Sequence, residues 1–160
     1  MTYREFDIAL KNRINTLSTN EQLELAISVC KKLFPDYQEF HFKHKWGNPN
    51  VLIDTIAICE KDDVHNLDIS FLAELLKKVD EVIPDTEDFE DCSYALNAGS
   101  AVYETLQFLI DKKSSHIINA STCLTDTIDF KLQVDASLLE EEIDNEAKMI
   151  MARNFLLGKE

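Results

Sequence analysis

Apolar residues recur along this chain at intervals of three and four, almost from end to end, which is the period of an amphipathic helix. Tyr3, Phe6, Leu10, Ile14 and Leu17 form the stripe of a first helix. "STNE" at 18–21 has the form of a capping box, with the Ser18 hydroxyl accepting from a backbone N–H while Glu21 reaches back to the Ser18 N–H. A second helix follows, with Leu23, Ile27, Cys30 and Phe34 on one side, and Leu25 and Val29 widen its apolar face, which marks it as central. It is expected to run to about Leu33 and to stop at Pro35, because proline cannot supply the next helical donor. "DYQEFHFKHKWG", residues 36–47, is aromatic and poor in aliphatics, and reads as an irregular or single-turn connection.

Asn48-Pro49 restarts a helix, with asparagine as cap and proline in the first turn; Val51, Leu52, Ile56 and Cys59 give it a core side. "KDDVHNLD" is a polar linker. From about Ser70 to Val82 the pattern is cleaner, with Leu72, Leu75, Leu76 and Val79 inward and Lys77, Lys78 and Asp80 outward, and Pro84 closes this helix. Cys92, Ala95, Leu96, Gly99, Val102, Tyr103, Leu106 and Leu109 trace a long helix to about Lys112. The next, capped by Ser114 or Ser115, is rich in Thr and Ile, but its cap and the spacing of Ile117, Ala120, Leu124 and Ile128 favour helix over strand. A last helix is expected from Asp135, with Leu139, Ile143, Ala147 and Ile150 as its stripe. These seven helices and the lack of a convincing strand predict an all-α, single-domain bundle spanning residues 1–160, with no significant sheet.

Composition agrees. A chain of 160 residues, 45% apolar and 29% charged, is long enough for one domain with its own core, and three Gly and three Pro leave few tight turns. Charge changes the picture more. Sixteen basic against 30 acidic residues give −14, a field that repels phosphate backbones and anionic membrane surfaces, so neither nucleic acid nor membrane is an expected partner. No apolar run is long enough to span a bilayer, and the charge-interrupted N-terminus lacks the apolar core of a signal peptide. Cys30, Cys59, Cys92 and Cys123 form no CxxC pair, and their surroundings share no repeat. A cytoplasmic protein with reduced thiols is the expectation.

"CKKLFPDYQEF", "WGNPNVLIDTIAICEK" and "VDEVIPDTEDFEDCSYALNAG", in that order, resemble the YjaG-like bacterial family, a domain of unknown function (family 416). The likeness covers about residues 20–130 and is most specific at the "IPDTEDF" turn and the alanine-rich helix after it. The resemblance implies an all-helical bacterial cytosolic protein without an established activity, substrate or cofactor, so it supplies no catalytic residues.

Candidate chemistry is sparse. Five carboxylates occupy the seven positions from Asp85 to Asp91. Asp85 and Glu87 suit the first two ligand positions of a calcium loop, but Phe89 stands at the third and Glu90 in place of the required glycine. The acids therefore read as the entrance of a helix, facing its positive end, with Phe89 as an anchor into the core. His41 and His44, three apart, are the candidate metal ligands, and no recognisable spacing supplies the further ligand that zinc needs. His116, at a helix start, is expected to be exposed. No GxSxG, P-loop, GxGxxG or HExxH is present, so catalytic residues and cofactor are both read as none.

In "YALNAGSAVYETL", Ala95, Ala98, Gly99 and Ala101 thin one side of a helix. A mid-helix glycine costs about 1 kcal/mol relative to alanine, so tight helix contact or a bound ligand would account for it. A ligand would be lined by Tyr94, Asn97 and Tyr103, and Trp46 is a candidate anchor for a partner. The leading reading is a non-enzymatic helical protein acting through protein–protein contacts, as a homodimer. The alternatives are an enzyme or small-ligand or metal-binding protein with a site between helices, and an acidic protein that masks a basic partner.

Overall fold

The computed structural model describes residues 1–159. Among these, eight α-helices and one 3₁₀ turn make up the regular structure, and no strand occurs. The helices are α1 (Tyr3–Thr16), α2 (Thr19–His44), α3 (Pro49–Cys59), α4 (Ile69–Glu81), α5 (Ser93–Asp111), α6 (Ser114–Asp135), α7 (Glu140–Ile143) and α8 (Ala147–Leu156), with the 3₁₀ turn at Val64–Asn66. The all-helical expectation holds. Among the described residues no helix is long and apolar enough to cross a membrane.

α5 is the axis of the bundle. It packs most extensively against α2 and α6, with α4 on a further side. Ala95, Ala98, Gly99 and Ala101 are all buried on it, so neighbouring elements approach closely. A Cβ added at Gly99 would lie 2.6 Å from Cγ1 of Ile83, in the turn that leads out of α4. At Gly99 the thin side of α5 is thus filled by a side chain of the preceding segment.

Both capping expectations at the chain's first connections are met. Ser18 accepts from Glu21 N–H while the Glu21 carboxylate takes the Ser18 N–H, and Asn48 accepts from Asn50 N–H ahead of Pro49. Thr2 and Glu5 form a second capping box that opens α1.

Neither Ser114 nor Ser115 caps α6, whose N-cap is Lys113 with no side-chain hydrogen bond. Two expected helix boundaries are corrected as well. First, α2 does not stop at Pro35 but continues through it to His44, absorbing most of the segment read as an irregular connection. The inward positions carry on across the proline as Leu33, Tyr37 and Phe40, all buried. Pro35 and Lys31, whose carbonyl loses its helical donor, are both exposed, so water can satisfy that carbonyl. Second, no helix starts at Asp135. There α6 ends, Ser137 takes a left-handed φ of 52°, and two short helices follow instead of one. Of the expected stripe only Ile143 is buried. Leu139, Ala147 and Ile150 are exposed, and Met149, Ala152, Arg153 and Leu156 turn inward.

Leu132, Ile143 and Met149 form a small second core there, with Ile128 and Leu138 against it. The Arg153 guanidinium, only 5% exposed, sits over the Phe6 ring, donates to Met1 O at 2.9 Å and pairs with Asp144 at 2.7 Å. Nothing in the helical spacing announced this buried cation.

Candidate functional site

The C-terminal end of α2, the start of α5 and the end of α6 lie at one end of the bundle, linked by contacts between named side chains. Lys131 on α6 pairs with Asp36 on α2 at 2.7 Å and lies 4.9 Å over the Tyr94 ring at the start of α5. Phe130 meets the same tyrosine edge-on at 5.7 Å. Lys43 on α2 reaches Asp91, two residues before α5, at 2.5 Å.

The segment after α2 is shaped by its backbone. Lys45 adopts a left-handed φ of 54° and its N–H closes the helix onto His41 O, as a C-terminal cap does. Gly47 follows at φ 81°, where a Cβ would collide with the Tyr37 hydroxyl. That hydroxyl donates to Val82 O at 2.6 Å and accepts from Asn48 N–H at 3.2 Å, tying α2 to the end of α4 and the start of α3. Burial raises the Tyr37 pKa, which keeps the phenol a donor.

An aromatic cluster covers this junction. Phe89 packs against Phe40, His44 and Trp46 at centroid distances of 5.2, 5.0 and 5.6 Å. Phe89 is therefore the anchor expected. The acids beside it behave differently from the expectation. Asp85 accepts from Glu87 N–H at 2.9 Å and its carbonyl accepts from Phe89 N–H, folding the run into a turn. None of these acids caps α5, whose N-cap is Cys92 with no side-chain hydrogen bond. Asp91 turns to α2 instead, where His44 Nε2 lies 3.0 and 3.1 Å from its two oxygens beside the Lys43 contact. Hydrogen bonds from Lys43 and then His44 hold the Asp91 carboxyl down at about 2.

His41 donates Nδ1–H to Trp46 O at 2.8 Å, since a carbonyl can only accept. With His44 on Asp91, the two histidines hold different partners. Among the described residues no group of three His, Cys, Asp or Glu is arranged to hold a metal ion. Asn97 donates to Thr127 Oγ1 at 3.0 Å, and Thr127 passes the chain on to Cys123 O. Tyr103 stands nine residues beyond Tyr94 on α5, two and a half turns, so the two rings point to opposite sides of the helix. The structure thus gathers Trp46, His41, His44, Tyr94 and Asn97 at one end and leaves Tyr103 away from them.

Large apolar side chains remain exposed on these elements: Phe42 at 78% on α2, Val134 at 57% and Phe130 in part on α6, and Leu139 at 70% in the segment that follows α6. Lys45 lies over Phe42, Lys43 reaches Asp91 at the end of the acidic turn, and Lys131 is held by Asp36. The surface is apolar with both signs of charge.

Elsewhere, His116 corrects the expectation of an exposed ring. It is half-buried between Glu104 and Asp111, which its two ring nitrogens meet at 2.7 and 2.9 Å. Glu104 and Asp111 are seven apart on α5, hence on one face, which was the available signal. The thiols are poor nucleophiles, since burial pushes Cys30, Cys59 and Cys123 up to about 12 and raises Cys92.

Comparison with known proteins adds the following. The family model described as "Protein of unknown function (DUF416)" matches residues 9–156. No curated protein matches the chain. A crystal structure of a DUF416 family protein from Shewanella baltica OS155 aligns with a TM-score of 0.74 at 21% sequence identity, covering 92% of this chain and 81% of that one. At that identity the likeness speaks for the fold alone.

Proposed function

The chain belongs to the DUF416 family of proteins of unknown function, and from that premise we propose that it is a non-enzymatic helical protein that acts through protein–protein contact, pairing with a second copy of itself through the aromatic end of the bundle. The observation behind this is the mixed character of that surface. A chain of charge −14 repels its own copy over most of its area. At this end Lys43 pairs with Asp91, the last acid of the run that includes Glu87, Asp88 and Glu90, so lysine and acid share one surface and a two-fold axis can set the lysines of one copy against the acids of the other. Phe42, Phe130, Val134 and Leu139 supply apolar area for the centre of such a contact.

The reading as a non-enzyme draws on chemistry already spent: His41, His44 and His116 each hold partners, and three thiols are pushed to about 12. Four free cysteines favour a reducing, cytoplasmic setting, and the net charge disfavours nucleic acid and anionic membrane as partners.

Size-exclusion chromatography with light scattering tests the pairing. The expected outcome is a dimer for the unmodified chain and a monomer for Phe42→Asp combined with Leu139→Asp, both exposed positions whose change leaves the fold intact. A monomer at high concentration for the unmodified chain refutes the pairing, and a dimer that survives both substitutions refutes this surface.

A further inference from the structure

α5 begins at the aromatic end of the bundle and finishes at the opposite one, where only Lys112 and Lys113 separate it from α6. Lys112 takes a left-handed φ of 61°, and its N–H closes α5 onto Phe108 O at 2.7 Å. The Asp111 carboxylate bends back to accept from Lys113 N–H at 2.9 Å, a turn held by one of its two oxygens. Other elements are tied to the same connection. Lys112 Nζ lies 3.1 Å from His65 Nδ1 in the 3₁₀ turn, and the Ser114 hydroxyl donates to Asn15 of α1 at 3.2 Å.

The His116 ring, in the first turn of α6, reaches across this connection. Its Nδ1 is 2.7 Å from Glu104 and its Nε2 is 2.9 Å from the Asp111 oxygen that does not hold Lys113. An ionised carboxylate can only accept, and a neutral imidazole donates from one nitrogen alone. Both contacts therefore exist together only while the ring carries two protons. When one proton leaves to water, a nitrogen lone pair faces a carboxylate oxygen at hydrogen-bond distance, and that contact gives way.

The surroundings decide which contact is lost. Both carboxylates belong to α5, and Lys113 of the connection adds its charge beside Asp111. Lys112 is turned to His65, and Asn15, the α1 residue at this joint, is uncharged. Glu104 makes the shorter contact and has the less exposed side chain, 23% against 32% for Asp111, so water replaces the ring more readily at Asp111.

We propose that His116 is a pH-operated clasp on the α5–α6 connection: the doubly protonated ring holds Glu104 and Asp111 together, and the neutral ring keeps Nδ1–H on Glu104, releases Asp111 and frees the connection to move. The oxygen that leaves the ring and the oxygen that holds Lys113 N–H belong to one carboxylate, so its release loosens the turn as well. Burial opposes the charge on the ring and the two carboxylates outweigh it, so the clasp opens at a higher pH than an isolated histidine would give. His65 is shifted the other way, by burial and then by the Lys112 charge, which keeps the two ring titrations apart.

The test follows the ring and the connection of the full chain together by NMR, from pH 5.5 to 9. As pH rises, the His116 ring nitrogens are expected to titrate after those of His65 and to end on the tautomer with its proton on Nδ1. Over the same interval the amides of Lys113 and of His116, which donates to Lys113 O, are expected to exchange with water about tenfold faster after correction for intrinsic base catalysis. That factor corresponds to the loss of one charge-assisted contact. The Glu21 amide, held by the Ser18 hydroxyl, keeps its corrected rate. His116→Gln abolishes the step at Lys113. A neutral ring protonated on Nε2 overturns the release of Asp111, and a ring titration that leaves both amides unchanged overturns the clasp. A step at Lys113 that persists in His116→Gln overturns His116 as its source.

Discussion

Gly99 and Ile83 are a pair in which each explains the other. Alanine at position 99 gains about 1 kcal/mol in helix propensity over glycine. Its Cβ, however, meets Ile83 Cγ1 at 2.6 Å, on a β-branched side chain that is stiff near its base. Overpacking of this kind costs roughly 1–3 kcal/mol, so Gly99→Ala is expected to lower stability by about 1 kcal/mol in urea unfolding. In an Ile83→Ala background the same change should become stabilising, a reversal of sign that only this contact produces. His116 offers a second test. Burial works against its charge, but its hydrogen bonds to the accepting carboxylates of Asp111 and Glu104, and their charges, outweigh it and raise its pKa. A raised folded-state pKa stabilises the protein fully below the unfolded-state value and less as pH climbs through the folded one. The stability lost in His116→Gln should therefore be larger at pH 5.5 than at pH 8.5 in paired denaturation curves.

Among the elements, α2 has the most demanding role. It carries a proline in its interior, worth about 3 kcal/mol against a helix, and remains continuous because Leu33, Tyr37 and Phe40 bury its inner face on both sides of the break. Tyr37 gives that burial its direction. Its hydroxyl is shared between Val82 O and Asn48 N–H, so three elements meet at one oxygen. Tyr37→Phe leaves a carbonyl and an amide unpaired at a part-buried junction, and is expected to cost about 1–3 kcal/mol in thermal unfolding. The loss should be accompanied by faster amide exchange at Asn48 and through the first turn of α3. The aromatic cluster beside it would loosen with it, since Trp46 is held between Phe40 and Phe89.

At the scale of the whole molecule the charge of −14 sets the behaviour in solution. Self-repulsion of the acids opposes the compact state, and the ion pairs that offset it are few and mostly at the surface. Raising sodium chloride from low to physiological strength shortens the screening length to about 8 Å, so the melting temperature is expected to rise by a few degrees rather than fall. A fall would mean that the surface pairs outweigh the repulsion. What the sequence determined by itself is what depends on neighbours three and four residues apart: the all-helical class, the caps at Ser18 and Asn48, the inward stripes of α4 and α5, that of α1 apart from the exposed Tyr3, and Phe89 as an anchor. Helical periodicity is a local property, and burial of one face follows it directly. The continuation of α2 past Pro35 was also written there, in the spacing of Leu33, Tyr37 and Phe40, but the local penalty of proline masked it. Tertiary structure alone decided the rest. Which side chain fills the gap at Gly99, where Asp91 turns, which acids hold His116 and how Arg153 is buried all depend on residues far apart in the chain being brought together. The energies of those meetings belong to the packed bundle and to no segment of it.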